Sequence, residues 1–195
     1  MKRLTEQDYR ISHWSGGKTT EIAIAPKNAV YADRDFLWRL SSATVDLEES
    51  DFTALPDYDR LIAPIRGEMT LTHNGGAPVA LAPYEAHAFD GADKTHSWGR
   101  CTDFNLMLRK GACGGRITPL GCGEAGEESF VPQSAARTLI VYCAEGGVTV
   151  SRGGESLALA EREAALLQGE LLCPITLTFQ KGGRAIAAQM WPAKS

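Results

Sequence analysis

The sequence predicts an all-β chain made of two double-stranded β-helix, or jelly-roll, halves. Three observations carry this. One stretch occurs twice: RLIAPIRGEMTLTHNGGAPVALAPYEAHAFDG, residues 60–91, returns as LIVYCAEGGVTVSRGGESLALAEREAALLQG, residues 139–169. Gly67 aligns with Gly146, Met69 with Val148 and Leu71 with Val150; past a one-residue deletion, Leu81 aligns with Leu159, Glu85 with Glu163 and Gly91 with Gly169. Two copies indicate two barrel halves and not a solenoid, which needs about three repeats. Short apolar runs separated by Gly, Pro and Asn turns are the second observation, the pattern of a sandwich or barrel. The third is a glycine-rich segment, 111–126, lying between the copies as a natural boundary. The expected halves are 1–111 and 112–195, packed together.

The elements follow in order. Residues 1–13 are polar and show no period. After a turn at Ser15-Gly16-Gly17, Thr20, Ile22 and Ile24 alternate with Glu21, Ala23 and Ala25, the period of a strand. Residues 26–35 read as loop. Phe36–Val45 is the next strand, with Arg39, Ser41 and Ala43 on one face and Trp38, Leu40, Ser42 and Thr44 on the other. Neither face is cleanly apolar, so something polar is enclosed or bound there. A turn-rich connection leads into the first repeat. A polar loop follows Gly91, then a long strand, Trp98–Arg109, with Phe104, Leu106 and Leu108 opposite Asp103, Asn105, Met107 and Arg109. After the second repeat, two strands around Gly182-Gly183 give a hairpin signal. Residues 159–168 have helix-forming composition. The repeat aligns them with a segment holding Pro83, which a helix interior excludes. They are therefore assigned strand, turn, strand. Two such units make a cupin-like arrangement in two copies, a bicupin.

Composition narrows the function classes. Twenty basic and 24 acidic residues give a net charge of -4. No basic stripe is present, which disfavours nucleic acid and anionic membrane as partners. MKRLTEQDYR lacks the apolar core of a signal peptide, and no apolar run approaches a membrane span. Five cysteines with no CxxC spacing read as reduced thiols, pointing to the cytoplasm.

A metal-binding jelly roll usually offers closely spaced histidines with a carboxylate. Here His13, His73, His87 and His96 stand apart in sequence, and the second repeat has no histidine. No metal and no cofactor are expected. There is no Gly-x-Ser-x-Gly nucleophile turn. Ser15-Gly16-Gly17-Lys18-Thr19 lacks the spacing of a nucleotide loop and precedes a strand, though its N–H groups could cradle a small anion. No catalytic residue is assigned. What remains is a polar set on strands: Arg39, Ser41, Arg60, Asp103 and Asn105. A guanidinium inside a barrel mouth needs an anion, and its forked donors fit a carboxylate. That carboxylate is either Asp103, in a structural pair, or one on a ligand. Trp14 either fills the core, the preferred reading, or caps a pocket.

At WSGGKTTEIAI (14–24), FLWRLSSATV (36–45), YDRLI (58–62), HAFDG (87–91) and DFNLMLRKG (103–111) the chain resembles the HutD/Ves family of bicupin-like proteins. The resemblance covers the first 111 residues; the later half is similar in layout. It implies a bicupin fold without the usual metal set. For the HutD branch it implies a link to bacterial histidine utilisation, with a small carboxylate such as formylglutamate or urocanate as ligand. For the Ves branch it implies a stress response. No catalytic residues come with it. There are two departures: Pro64 within a strand removes a ladder donor and predicts an edge or bulge there, and Arg66 stands before Gly67; both bear on the local geometry of that hairpin and not on the fold.

The favoured function is therefore a non-catalytic, regulatory binding protein for a small carboxylate, with Arg60, Arg39, Ser41, Asp103, Asn105 and Trp14 as candidate ligand-binding residues. A metal-independent enzyme using Asp103 or a histidine as acid and base is the alternative. A third reading is an interaction protein whose barrels pair as a homodimer.

Overall fold

The structure is a computed structural model that describes residues 1–193. Alternating apolar runs and tight turns fold into strands throughout. In the first part of the chain these are β1 (Lys2–Leu4), β2 (Arg10–Trp14), β3 (Gly17–Ala25), β4 (Trp38–Val45), β5 (Glu49–Asp51), β6 (Tyr58–Arg66), β7 (Met69–His73), β8 (Val79–Leu81), β9 (His87–Asp90), β10 (Thr95–Trp98) and β11 (Cys101–Arg109). The remainder forms β12 (Cys113–Leu120), β13 (Gly126–Phe130), β14 (Thr138–Glu145), β15 (Gly147–Arg152), β16 (Glu155–Ala160), β17 (Ala164–Gln168), β18 (Ile175–Phe179) and β19 (Arg184–Pro192). One 3-10 turn, Tyr31–Asp33, interrupts the strands. No helix among the described residues is long and apolar enough to cross a membrane.

The strands form two compact units. Tyr9–Cys113 makes the first; Met1–Asp8 and the chain from Gly114 onward make the second. The first unit has a six-stranded sheet, β2-β3-β4-β11-β6-β9, and a four-stranded sheet, β5-β10-β7-β8. The second has a five-stranded sheet, β1-β17-β14-β19-β12, and a four-stranded sheet, β13-β18-β15-β16. In each, inward side chains of both sheets meet in one apolar cluster, so each unit is a two-sheet jelly roll.

The repeat is visible down to single hydrogen bonds. Tyr84 and Arg162, at aligned positions, both adopt left-handed backbone, with φ of 67° and 71°. The following glutamates close both turns: the Glu85 carboxylate accepts from the N–H of Ala82 at 3.1 Å, and that of Glu163 from Ala160 at 3.0 Å. This shared turn is why residues 159–168 form two strands despite their helix-forming composition.

Several expectations need correction. The first eight residues do not belong to the first barrel; β1 adds to the edge of β17, with Leu4 buried. The glycine-rich boundary is partly strand, β12. The strand expected from Trp98 to Arg109 breaks at Gly99, whose φ is 107°. β18 and β19 do not pair as a hairpin: the turn at Gly182-Gly183 carries the chain from one sheet to the other. In β3 the alternation breaks at a bulge between Glu21 and Ala23: Glu21 lies inward with Thr19, on the face of Ser41 and Ala43, and past the bulge it is Ile24 that pairs with Arg39. Near Pro64, β6 shows the expected irregularity, where Thr102 pairs with Arg66 but Asp103 with Pro64.

Gly67 tests the shared turn geometry. Its φ is +73°, and an added Cβ would meet the carbonyl oxygen of Arg100 at 2.5 Å, whereas Gly75, at φ +72°, has open space. Gly75→Ala should cost about 1 kcal/mol, the conformational penalty alone. Gly67→Ala should cost about 2 kcal/mol or more, because backbone must also move. Chemical denaturation of both variants gives the comparison; equal losses would contradict the steric account.

Candidate functional site

The two barrels differ in what fills them. In the second, seventeen buried apolar residues form one cluster across both sheets. In the first, the buried apolar residues among those described are split: Val45, Ile62, Met69, Leu71, Leu81 and Cys101 form one cluster, and Ala29, Phe36, Leu55, Tyr58 and Met107 another. The repeat alignment shows where the difference arises. Arg60 takes the position of Leu139. Their ladder partners extend the equivalence, since Asn105 faces Ile62 as Ala187 faces Val141, and Asp103 faces Pro64 as Ala185 faces Cys143. Leu139, Ala185 and Ala187 are all fully buried members of the second core. The first barrel thus carries a cation, a carboxyl and an amide where the second carries hydrocarbon.

These residues line a cavity of about 330 Å³ within the first unit, a volume suited to a small organic ligand. Adjacent strands supply it in rungs. Arg39, Met107 and Arg60 face one another across β4, β11 and β6; Glu21, Ser41 and Asn105 form the next rung, and Thr19, Ala43 and Asp103 the one after. All six sequence-predicted residues, Arg60, Arg39, Ser41, Asp103, Asn105 and Trp14, line this one cavity. Trp14 is not core: it lies 41% exposed at the cavity's edge, because β2 is a solvent-facing edge strand.

The two arginines are held differently. The Arg39 Nε donates to Glu21 Oε2 at 2.8 Å, and its Nη1 donates to Ser41 Oγ at 3.3 Å. Tyr31 lies under its guanidinium, 4.2 Å away. Arg39 is therefore neutralised within the fold. Arg60 is only 6% exposed, and its guanidinium sits over the rings of Phe52 and Phe89 at 4.7 and 5.1 Å. Its Nε is buried and has no hydrogen-bond partner among the described residues; the same holds for Oδ1 of Asp103 and Oδ1 of Asn105. The direct Arg60–Asp103 pair expected as one alternative is thus not closed at these atoms. The register explains why: Arg60 lies opposite Met107, four residues along β11 from Asp103.

Burial dominates the titration of this group. It pulls the Arg60 guanidinium down to about 10, opposed by the charges of Tyr31 and Asp103 and reinforced by Arg39, so Arg60 stays cationic at neutral pH. Burial pushes the Asp103 carboxyl up to about 7, against the pull of Arg60, the Ala43 N–H and Arg39. Asp103 therefore exchanges its proton near neutrality.

Sequence reasoning missed Glu21, Tyr31 and Phe52. Glu21 stands on the face that the alternation sets opposite Ile22 and Ile24, and the aromatics lie in segments without a strand period. The arginine at a core position of the repeat, aligned with Leu139, was the available signal for the site itself. The structure also joins two histidines that the sequence leaves apart. The Nε2 atoms of His73 and His87 lie 3.0 Å apart, and His73 Nδ1 is 2.9 Å from Thr95 Oγ1. Burial and the neighbouring His73 hold His87 below the usual histidine value. No group of three or more His, Cys, Asp or Glu that could hold a metal occurs among the described residues.

The HutD family model matches residues 6–187. The chain belongs to the HutD family. No curated protein matches it. Among solved structures it is similar to the conserved protein PA5104 from Pseudomonas aeruginosa PAO1, with 27% identity, a TM-score of 0.81 and 99% of each chain covered. It is also similar to HutD from Pseudomonas fluorescens SBW25, determined in a formate condition, with 27% identity, a TM-score of 0.78 and 99% of each chain covered. A cupin 2 conserved barrel domain protein from Leptotrichia buccalis shares 10% identity at a TM-score of 0.57, over 98% of this chain and 96% of that one. That likeness bears on the fold alone, and the fold is cupin-like.

Asp103 gives a test of this electrostatic description. Its carboxyl titrates at about 7 in the folded chain, against 3.8 as its ordinary value. Between these values the folded state holds a proton that the unfolded state has released. Stability therefore falls as pH rises from about 4 to about 7 and then levels. Asp103→Asn removes this dependence. Melting curves should show the variant gaining on wild type across that window; a difference independent of pH would contradict the assignment.

Proposed function

We propose that the chain is a non-catalytic, regulatory binding protein for a small carboxylate, tied to histidine utilisation, with formylglutamate or urocanate as candidate ligands. The observation that carries this is the Arg60 guanidinium, buried at the wall of a cavity with its Nε unpaired. A buried donor on a fixed cation is costly without an anion, and the fork of a guanidinium matches a carboxylate. Ser41 of β4 and Asn105 of β11, one rung along the cavity wall from Arg60, supply neighbouring hydrogen bonds. Trp14, at the mouth, covers the ligand. Membership of the HutD family and the likeness to HutD of Pseudomonas fluorescens support the histidine-utilisation setting. Five free thiols suit a cytoplasmic location.

One observation favours a second reading, a metal-independent enzyme. A carboxyl titrating at about 7 inside a cavity is suited to general acid-base work. The two readings part on one measurement: a binding protein returns formylglutamate and urocanate unchanged from prolonged incubation, as followed by proton NMR.

Calorimetric titration with formylglutamate, urocanate and formate tests the binding reading. Arg60→Ala should weaken binding by about 2 kcal/mol or more, roughly 30-fold, while the melting curve shows a folded chain. Arg60→Lys should recover only part of the affinity, because an ammonium cannot reproduce two parallel donors. Unchanged affinity in Arg60→Ala would remove the proposal.

A further inference from the structure

A carboxylate on Arg60 leaves part of the cavity unsatisfied. Asp103 and Asn105 stand two residues apart on the same face of β11, so their side chains are about 7 Å apart along the wall. Both are buried, and each has an Oδ1 without a partner among the described residues. In the second barrel the equivalent positions are alanines, so neither polar group is required by the fold. A plain carboxylic acid brings only acceptors to the place where two acceptors already stand.

Building on the carboxylate reading above, we propose that the ligand carries on one small molecule both a carboxylate for Arg60 and an N–H donor for Asp103 and Asn105. These two residues then set specificity for amide- or azole-bearing acids over plain carboxylic acids. Asp103 is the stronger determinant. In its ionised form it only accepts, and among the described residues nothing donates to its Oδ1. Burial pushes the group up to about 7, so the ligand it meets decides between its protonated and ionised forms. A ligand N–H tips the balance to the ionised form. A second ligand anion tips it to the protonated form. The charged groups that bear on Asp103 are Arg60 from β6 and Arg39 from β4; Cys101, on its own strand, is pushed up to about 12 and stays neutral. Arg39 is already matched by Glu21. The cavity therefore presents one open cation and one group that follows the ligand.

The test compares matched acids on the wild-type chain by calorimetry at neutral pH. Urocanate is set against 3-(furan-3-yl)acrylate, which keeps its shape and carboxylate but has no N–H. Formylglutamate is set against 2-formyloxyglutarate, in which oxygen replaces the N–H. At least one N–H acid should bind tenfold or more tighter than its isostere, because the isostere leaves a buried acceptor unpaired. Asp103→Leu should bring that ratio close to one while retaining the isostere. The affinity of the isostere should fall as pH rises from about 6 to about 8, while that of the N–H acid should not.

Equal binding of both members of each pair would overturn this inference. It would leave the carboxylate reading intact, provided Arg60→Ala still weakened both. An undiminished ratio in Asp103→Leu would remove Asp103 from the role. Failure of all four acids to bind would overturn the carboxylate reading and this inference with it. The wild-type comparison decides the matter even if Asp103→Leu does not fold.

Discussion

A guanidinium that stays charged at neutral pH, walled in by strands and lacking a partner for its Nε, is the constraint on which the first barrel depends. Burying such a group costs several kcal/mol unless an anion or dipoles replace the lost water. The fold offers partial relief through the faces of Phe52 and Phe89. Among the described residues no carboxylate closes its Nε at hydrogen-bond distance. Around this cation the apolar cluster is reduced, and space remains. The second barrel has Leu139 in the same place, inside its apolar cluster. The contrast between two copies of one unit separates what the jelly roll needs from what has been added to it.

Arg39 shows what a structural arginine looks like in the same cavity. It is buried to a similar degree, but Glu21 and Ser41 take its donors. Glu21 reaches it from β3, where it pairs with Ser41 just before the bulge, so one cation is neutralised by a carboxylate of the neighbouring strand. The result is a cavity with one open positive charge and a carboxyl poised between two protonation states. That is the electrostatic signature of a site for a small anion with polar features of its own.

Much of this was legible in the sequence, and the reason is the repeat. Aligning Glu163 with Glu85 decided against a helix where residue propensities favoured one, and the two glutamates prove to close identical turns. The alternation of Arg39, Ser41 and Ala43, and of Asp103, Asn105 and Met107, assigned these residues to the faces that line the cavity. What sequence could not show were events without a period. A bulge after Glu21 shifts the facing of the rest of β3, and a three-residue strand joins the edge of a sheet far along the chain. The turn at Gly182-Gly183 has a hairpin's composition, but it crosses between sheets because β18 and β19 each find other partners. His73 and His87 meet because β7 and β9 belong to different sheets of the same barrel, a proximity no spacing rule contains.

The central claim is that the Nε–H of Arg60 is held open for a ligand carboxylate. The direct measurement is the proton–nitrogen NMR resonance of that Nε–H, assigned by its loss in Arg60→Lys and followed as formylglutamate or urocanate is titrated. The account predicts a large downfield shift of the Arg60 signal that saturates with binding, while the signal of Arg39, already paired with Glu21, moves little. Binding confirmed by calorimetry with the Arg60 resonance unmoved would contradict it.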